Sequence, residues 1–203
     1  MARPLTIEVF RTEHLASCTA EKIASMPTLP PPNYLANYPQ DVQARVQELI
    51  AQGRLAERLQ RHYGELHGVR TDNALYDYAM ALKSRHLRSS DPVSKVVYDN
   101  RLHVIQNALG THTTVARVQG NKLKAKREIR IAGVFRAMPE PMLKMIVVHE
   151  LAHLKERGHD KAFYALCRHM APDYDQLEFD LRLAMMHGEA TGQPVWPAAP
   201  PRV

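Results

Sequence analysis

Cysteine, tryptophan and long apolar runs are all scarce in this chain. Only two cysteines occur among its 203 residues, Cys18 and Cys167, and they lie far apart in sequence. This spacing argues against a disulfide scaffold and fits a reducing compartment. No apolar run approaches the roughly 20 residues that a membrane-spanning helix needs. The segment from Met1 to Ser25 contains three glutamates and lacks the apolar core of a secretory signal. We therefore expect a cytoplasmic protein without a membrane partner.

Positive charge exceeds negative charge along the chain. Its 27 Lys and Arg residues against 21 Asp and Glu give a formal net charge of +6, which suggests a search for nucleic-acid partners. Residues 122–130 alternate between charged and apolar side chains, as a half-buried strand does. A basic strand face of this kind is more often solvated than bound to nucleic acid. Nucleic acid is therefore the less favoured partner, and steeply salt-dependent DNA binding would be its sign.

Composition divides the chain into four segments. Prolines predict an irregular arm over residues 1–38, because a run of prolines cannot form a regular helix. Residues 39–92 show helical periodicity and predict a helical extension. Residues 93–188 carry short β-branched stretches followed by helical patterns, and we assign to them the domain that holds the motif described below. The proline-rich tail, residues 189–203, is predicted to be disordered.

The order of elements indicates an α+β fold. A small antiparallel sheet should pack on the helix that carries the motif described below. The predicted helices are 40–63, bent or broken at Gly53, 73–88 with Asp72 or Asn73 as the cap, 141–156, 160–170 and 174–187. The predicted strands are 95–98, 102–105, 111–118 and 122–132, with a hairpin turn at Gly120–Asn121.

The stretch His149-Glu150-Leu151-Ala152-His153 has the pattern H-E-x-x-H within a helical segment. Two histidines four residues apart share one face of a helix, so both can bind one metal ion. The glutamate beside the first histidine can take a proton from a water on that metal. The apolar run before the motif predicts a buried helix, in which polar side chains need partners. The sequence therefore predicts a Zn²⁺ site with Glu150 as general base.

A third zinc ligand must come from outside the motif. His159 lies six residues after His153, directly behind Gly158, where the chain can turn back toward the metal. A carboxylate from the last helix, Glu178 or Asp180, is the alternative. We favour His159. An acidic group (Asp173, Asp175, Glu178 and Asp180) could orient the ligands, and Tyr164, His169, Tyr174 and His112 are candidate oxyanion donors by residue type.

The sequence Val-Val-His-Glu-Leu-Ala-His-Leu over residues 147–154, followed by Gly158-His159 and Phe163, resembles the YgjP-like metallopeptidase family. The SprT-like proteases look related. The resemblance covers about residues 95–187. It implies a compact zincin-like domain, with a small antiparallel sheet over the active-site helix and zinc held by His149, His153 and His159.

Three functions remain open at this point. The leading hypothesis is a zinc metallopeptidase that hydrolyses peptide bonds of a peptide or protein substrate with Glu150 as the base. The second is a DNA-associated protease of the SprT-like kind. The third is a protein that binds zinc without catalysis.

Overall fold

The computed structural model describes residues 34–102, 110–119 and 122–197, and it describes only the backbone of 110–119 and 122–126. The chain divides into two compact units, Met1–Pro31 and Pro32–Val203, and every described residue belongs to the second. No helix among the described residues combines the length and apolarity needed to cross a membrane.

Six α-helices and three strands make up the described part of the chain. The first helices are α1 (Gln40–Ala51), α2 (Arg54–Tyr63) and α3 (Asp72–His86). The strands β1 (Val93–Asp99), β2 (Gly110–Gln119) and β3 (Lys122–Ala132) follow. A short 3-10 helix (Gly133–Ala137) then leads to α4 (Glu140–Ala152), α5 (Lys161–Met170) and α6 (Tyr174–Thr191). The α+β class is as predicted.

Two local signals set the limits of the N-terminal helices. Gly53 has a φ of 68°, which is accessible to glycine, and it separates α1 from α2 where one bent or broken helix was expected. Thr71 caps α3, because its side chain accepts a hydrogen bond from the Ala74 N–H. The prediction of Asp72 or Asn73 as the cap is therefore wrong. Asp72 instead accepts a hydrogen bond from the Tyr98 N–H at 3.0 Å and joins α3 to β1.

The sheet is mixed, with strand order β1-β3-β2. β2 and β3 pair antiparallel, whereas β1 and β3 pair parallel, with Val96 opposite Ile129. The expected antiparallel sheet is correct for the β2–β3 pair and wrong for β1. Side-chain alternation shows which face of a strand is buried but not which neighbour the strand chooses, so the sequence could not reveal this pairing. The predicted turn at 120–121, and residues 103–105 of the predicted strand 102–105, lie outside the described residues.

Helix α4 lies at the centre of the core. Ten of its 13 residues are buried, among them His149 and Glu150, and it packs against α3, α5, α6 and the sheet. The helix ends at Ala152 rather than at residue 156, and His153 is its C-cap residue. The N–H groups of Leu154 and Lys155 bond three residues back, which tightens the chain into a turn. The second motif histidine, His153, is therefore the first residue of this turn.

The C-terminal segment is more ordered than predicted. Helix α6 continues to Thr191, and beyond it Val195 and Trp196 are buried. The Val195 carbonyl accepts a hydrogen bond from the side chain of Gln60, and the Trp196 ring lies 6.2 Å from that of Tyr63. The prediction of a disordered tail from residue 189 is thus wrong up to residue 197. The free energy gained by burying the apolar side chains of Val195 and Trp196 outweighs the tendency of the neighbouring prolines to break regular structure.

Trp196→Ala should lower the free energy of unfolding by about 3–5 kcal/mol, because it deletes a buried aromatic side chain. Denaturant unfolding measures the change. Val134→Ala is the control, since Val134 is exposed, and it should change the same quantity by less than about 0.5 kcal/mol. Equal, small changes in both variants would show that the segment after α6 does not contribute to the fold.

Candidate metal centre

Three histidines from two regions of the chain meet at the end of α4. His149 lies in the last turn of α4, His153 is its C-cap, and the following turn returns His159 to the same place. Each of the three offers a ring nitrogen, and these atoms lie within 4.8 Å of one another. The Nε2 atoms of His149 and His159 are 3.1 Å apart. The predicted trio thus lies together in the structure.

The turn that carries His159 is held from its far side. Asp160 caps α5, and its carboxylate accepts hydrogen bonds from the N–H groups of Ala162 and Phe163 at 2.9 and 3.0 Å. The buried Phe163 ring lies 4.6–4.9 Å from all three imidazole rings. The Asp160 cap and the packing of the Phe163 ring therefore hold His159 in position.

The ring of His153 has a defined tautomer. Its Nδ1 lies 2.9 Å from the carbonyl oxygen of Glu156. Because a carbonyl oxygen can only accept, Nδ1 carries the proton, and Nε2 is left with a free lone pair. Nδ1 of His149 lies 2.7 Å from the hydroxyl of Tyr174. Both motif histidines thus use Nδ1 for a hydrogen bond, and the carbonyl partner of His153 fixes its Nε2 as the free nitrogen.

Burial favours the uncharged form of the two motif histidines, His149 and His153. It lowers the pKa of His149 to about 3, and the neighbouring His153 and His159 act in the same direction. Burial also lowers the pKa of His153. Neutral imidazole is the form that binds metal ions. The two motif histidines are therefore in the form that binds a metal.

Glu150 is the least satisfied polar group near the cluster. Its side chain is 1% exposed, and its Oε2 has no hydrogen-bond partner among the residues that the structure describes. Burial raises the pKa of this carboxyl to about 8. A cation beside the carboxyl would favour the charged form and offset the cost of burial. A buried carboxyl that directly follows the first ligand histidine in the chain suits a metal centre with an activated water.

These residues fit a metal ion such as zinc. Two nitrogen ligands at the usual Zn–N length, with tetrahedral angles, are about 3.3 Å apart, and the His149–His159 separation of 3.1 Å is close to this value. Three protein ligands also leave a fourth position for water or substrate, as catalytic zinc sites do. The ion would be held by His149, His153 and His159.

The alternative third ligands have other partners. Glu178 pairs with Arg182 at 2.5 Å, and Asp180 accepts a hydrogen bond from the Tyr63 hydroxyl at 2.5 Å. Neither belongs to a three-ligand group within the described part of the chain. The geometry therefore favours His159 as the third ligand over either carboxylate.

The supporting residues differ from those expected. The partner of His149 is a tyrosine hydroxyl and not one of the acidic side chains of α6. Tyr174 therefore lies behind a ligand, where it cannot act as an oxyanion donor. His169 lies against His86, with ring centroids 5.7 Å apart, and the side chain of His112 is outside the described residues. Residue type alone could not have distinguished these positions.

Comparison with known proteins identifies the family. A family model described as "YgjP-like, metallopeptidase domain" matches residues 95–184. The chain is 57% identical over 150 residues to a protein of Escherichia coli (strain K12) named UTP pyrophosphatase, a match that covers 74% of this chain and 90% of the relative. The chain belongs to the YgjP-like family. The resemblance seen in the sequence around H-E-x-x-H is thereby confirmed. No solved structure matches this YgjP-like protein.

His159→Ala should weaken metal binding by about 10-fold or more, because losing a ligand should cost at least as much as losing a group that orients one. Competition with a chromophoric chelator measures the dissociation constant. Glu178→Ala is the matched variant and should change it far less, since Glu178 pairs with Arg182. Metal loss in Glu178→Ala but not in His159→Ala would show a site with two histidines and one carboxylate.

Proposed function

We propose that this protein is a metal-dependent hydrolase that cleaves UTP to UMP and pyrophosphate. The substrate is taken from the relative named UTP pyrophosphatase, which is 57% identical over 90% of its own length. The observation that carries the chemistry is the convergence of three imidazoles at the end of α4. The residue after the first of these histidines, Glu150, is buried and keeps one carboxyl oxygen without a partner among the described residues. This arrangement suits hydrolysis by an activated water, whichever bond is cleaved.

Glu150 acts as the general base in this proposal. A bound metal ion, which we take to be zinc, would acidify a water molecule and polarise a phosphoryl oxygen. Glu150 accepts the proton of the attacking water while the water oxygen bonds to the α-phosphorus. The bond from that phosphorus to the bridging oxygen breaks, and pyrophosphate leaves with the electron pair. His149, His153 and His159 hold the centre in place.

The surroundings of the centre suit an anionic substrate. Lys155 and Arg157 lie in the turn that joins His153 to His159, and both are exposed. Neither forms an ion pair with any residue that the structure describes, so both charges are free to meet a ligand. A triphosphate bound near the histidines would lie within reach of this turn, where the cations can offset its charge.

Peptide hydrolysis is the second candidate. It is favoured by the description of the matching family model, which names a metallopeptidase domain, and by the H-E-x-x-H motif itself. In this case Glu150 would take the proton of the water that attacks a peptide carbonyl and return it to the leaving amine. The two candidates share a centre and a base and differ in the substrate. A DNA-associated protease and a zinc protein without catalysis remain predictions without a further observation in their favour.

Glu150→Gln should retain the bound metal and lose about 10²–10⁴-fold in the rate of UTP hydrolysis, because the amide cannot accept the proton of water. The rate is measured as UMP and pyrophosphate release by chromatography, with the metal content of each sample determined in parallel. Glu65→Gln is the control. It makes the same chemical change at an exposed glutamate and should leave the rate unchanged.

A parallel assay on casein separates the two candidates. Metal-loaded wild type that releases pyrophosphate from UTP and leaves casein intact supports the proposal. If the wild type cleaves casein but not UTP, and Glu150→Gln abolishes that cleavage, the same mechanism acts on peptide bonds instead. UTP hydrolysis that is undiminished in a metal-loaded Glu150→Gln variant would refute the role of this residue.

A further inference from the structure

A tyrosine and a cysteine lie behind the first histidine of the motif. The hydroxyl of Tyr174 is 2.7 Å from Nδ1 of His149, and the two rings are nearly parallel, with an interplanar angle of 18°. Tyr174 begins α6 and is fully buried. The side chain of Cys167, a buried residue of α5, interacts electrostatically with this hydroxyl and is a nearby acceptor for its hydrogen. Helices α4, α5 and α6 thus contribute one residue each to this group of side chains.

The direction of the hydrogen bond between Tyr174 and His149 decides whether Nε2 of His149 can bind a metal ion. A neutral imidazole has one N–H, and a tyrosine hydroxyl has one hydrogen. If the hydroxyl hydrogen points to the sulfur of Cys167, the hydroxyl oxygen accepts from the Nδ1–H of His149, and Nε2 carries a lone pair. If the hydroxyl instead donated to Nδ1, the proton would move to Nε2 and block the atom that faces His159. Cys167 therefore bears on whether the ligand atom is available.

We propose that Tyr174 and Cys167 are positioning residues that hold His149 in the Nδ1–H form, with Nε2 directed at the metal. This inference rests on the metal-binding part of the proposed function and not on the choice of substrate. The equivalent hydrogen bond of His153 goes to the backbone carbonyl of Glu156, which substitution of a side chain does not remove. The orientation of His149, by contrast, is encoded by a side chain.

The surroundings support this direction of the hydrogen bonds. Burial raises the pKa of the Cys167 thiol to about 12 and raises that of Tyr174 as well, so both groups stay protonated and neutral. A partner of His149 that is neutral adds no negative charge behind the ligand, unlike the carboxylate often found in this position. The centre therefore keeps its positive charge for an anionic substrate.

Tyr174→Phe should raise the dissociation constant for Zn²⁺ by about 10- to 100-fold, the usual effect of removing a group that orients a metal-bound histidine. Chelator competition measures the constant. Tyr164→Phe is the matched control, because the Tyr164 ring lies near the same cluster but its hydroxyl, unlike that of Tyr174, forms no hydrogen bond to any of the three histidines in the described structure. It should bind Zn²⁺ as the wild type does. Equal affinity of Tyr174→Phe and the wild type would overturn the proposal.

Substitution of Cys167 tests the contact between Cys167 and the Tyr174 hydroxyl. Cys167→Ala removes the acceptor and should weaken Zn²⁺ binding less than Tyr174→Phe does, whereas Cys167→Ser keeps an acceptor and should restore the affinity. A merely structural role of the thiol would give the opposite result, because serine is the more polar of the two in a buried position. Weaker binding in Cys167→Ser than in Cys167→Ala would therefore contradict the role of Cys167.

Nitrogen NMR of the zinc-loaded wild type decides the tautomer without any substitution that could affect folding. We expect His149 to show a protonated Nδ1 and a metal-bound Nε2. A metal-bound Nδ1, or an Nδ1 without a proton, would overturn the proposal even if Tyr174→Phe failed to fold. Both readouts report metal binding, so they test Tyr174 and Cys167 whether or not the loaded enzyme hydrolyses UTP.

Discussion

The structure depends on one constraint, namely that a helix buried on nearly all sides carries ionisable groups. Helix α4 contributes seven apolar side chains to the core together with Ala152, and it also buries His149 and Glu150. Buried polar groups are costly unless they have partners. Every element around α4 either covers its apolar side chains or supplies such a partner. Of the two ionisable side chains that α4 buries, His149 has a hydrogen-bond partner, whereas Glu150 keeps a carboxyl oxygen without one among the described residues.

The candidate metal centre is assembled by short-range contacts from several helices. The early end of α4 at Ala152 opens a turn, the Asp160 cap fixes where that turn returns, and Phe163 packs on all three histidines. Tyr174 approaches from α6. Each contact is modest by itself. Together they hold three imidazoles in place before any metal binds, so little ordering remains to be done on binding.

A centre of this kind does not by itself select a substrate. A water activated by a metal ion, with a buried base to accept its proton, can attack a phosphorus or a carbonyl carbon. The proposed choice of a phosphoanhydride substrate rests on groups around the centre, because the exposed cations Lys155 and Arg157 lie in the turn between two histidines. It rests also on the 57% identity with a protein named UTP pyrophosphatase.

The sequence alone determined the features that depend on local spacing. These are the shared face of His149 and His153, the alternation of β3 over residues 128–131 and the starts of α4 to α6, because helix and strand periods and caps act over a few residues. Only the tertiary structure decided the parallel pairing of β1 with β3, the burial of Trp196 and the placing of Tyr174 behind His149. Each of these contacts joins residues distant in sequence. The free energy of these contacts depends on which surfaces meet in the folded protein, and a local sequence pattern does not contain that information.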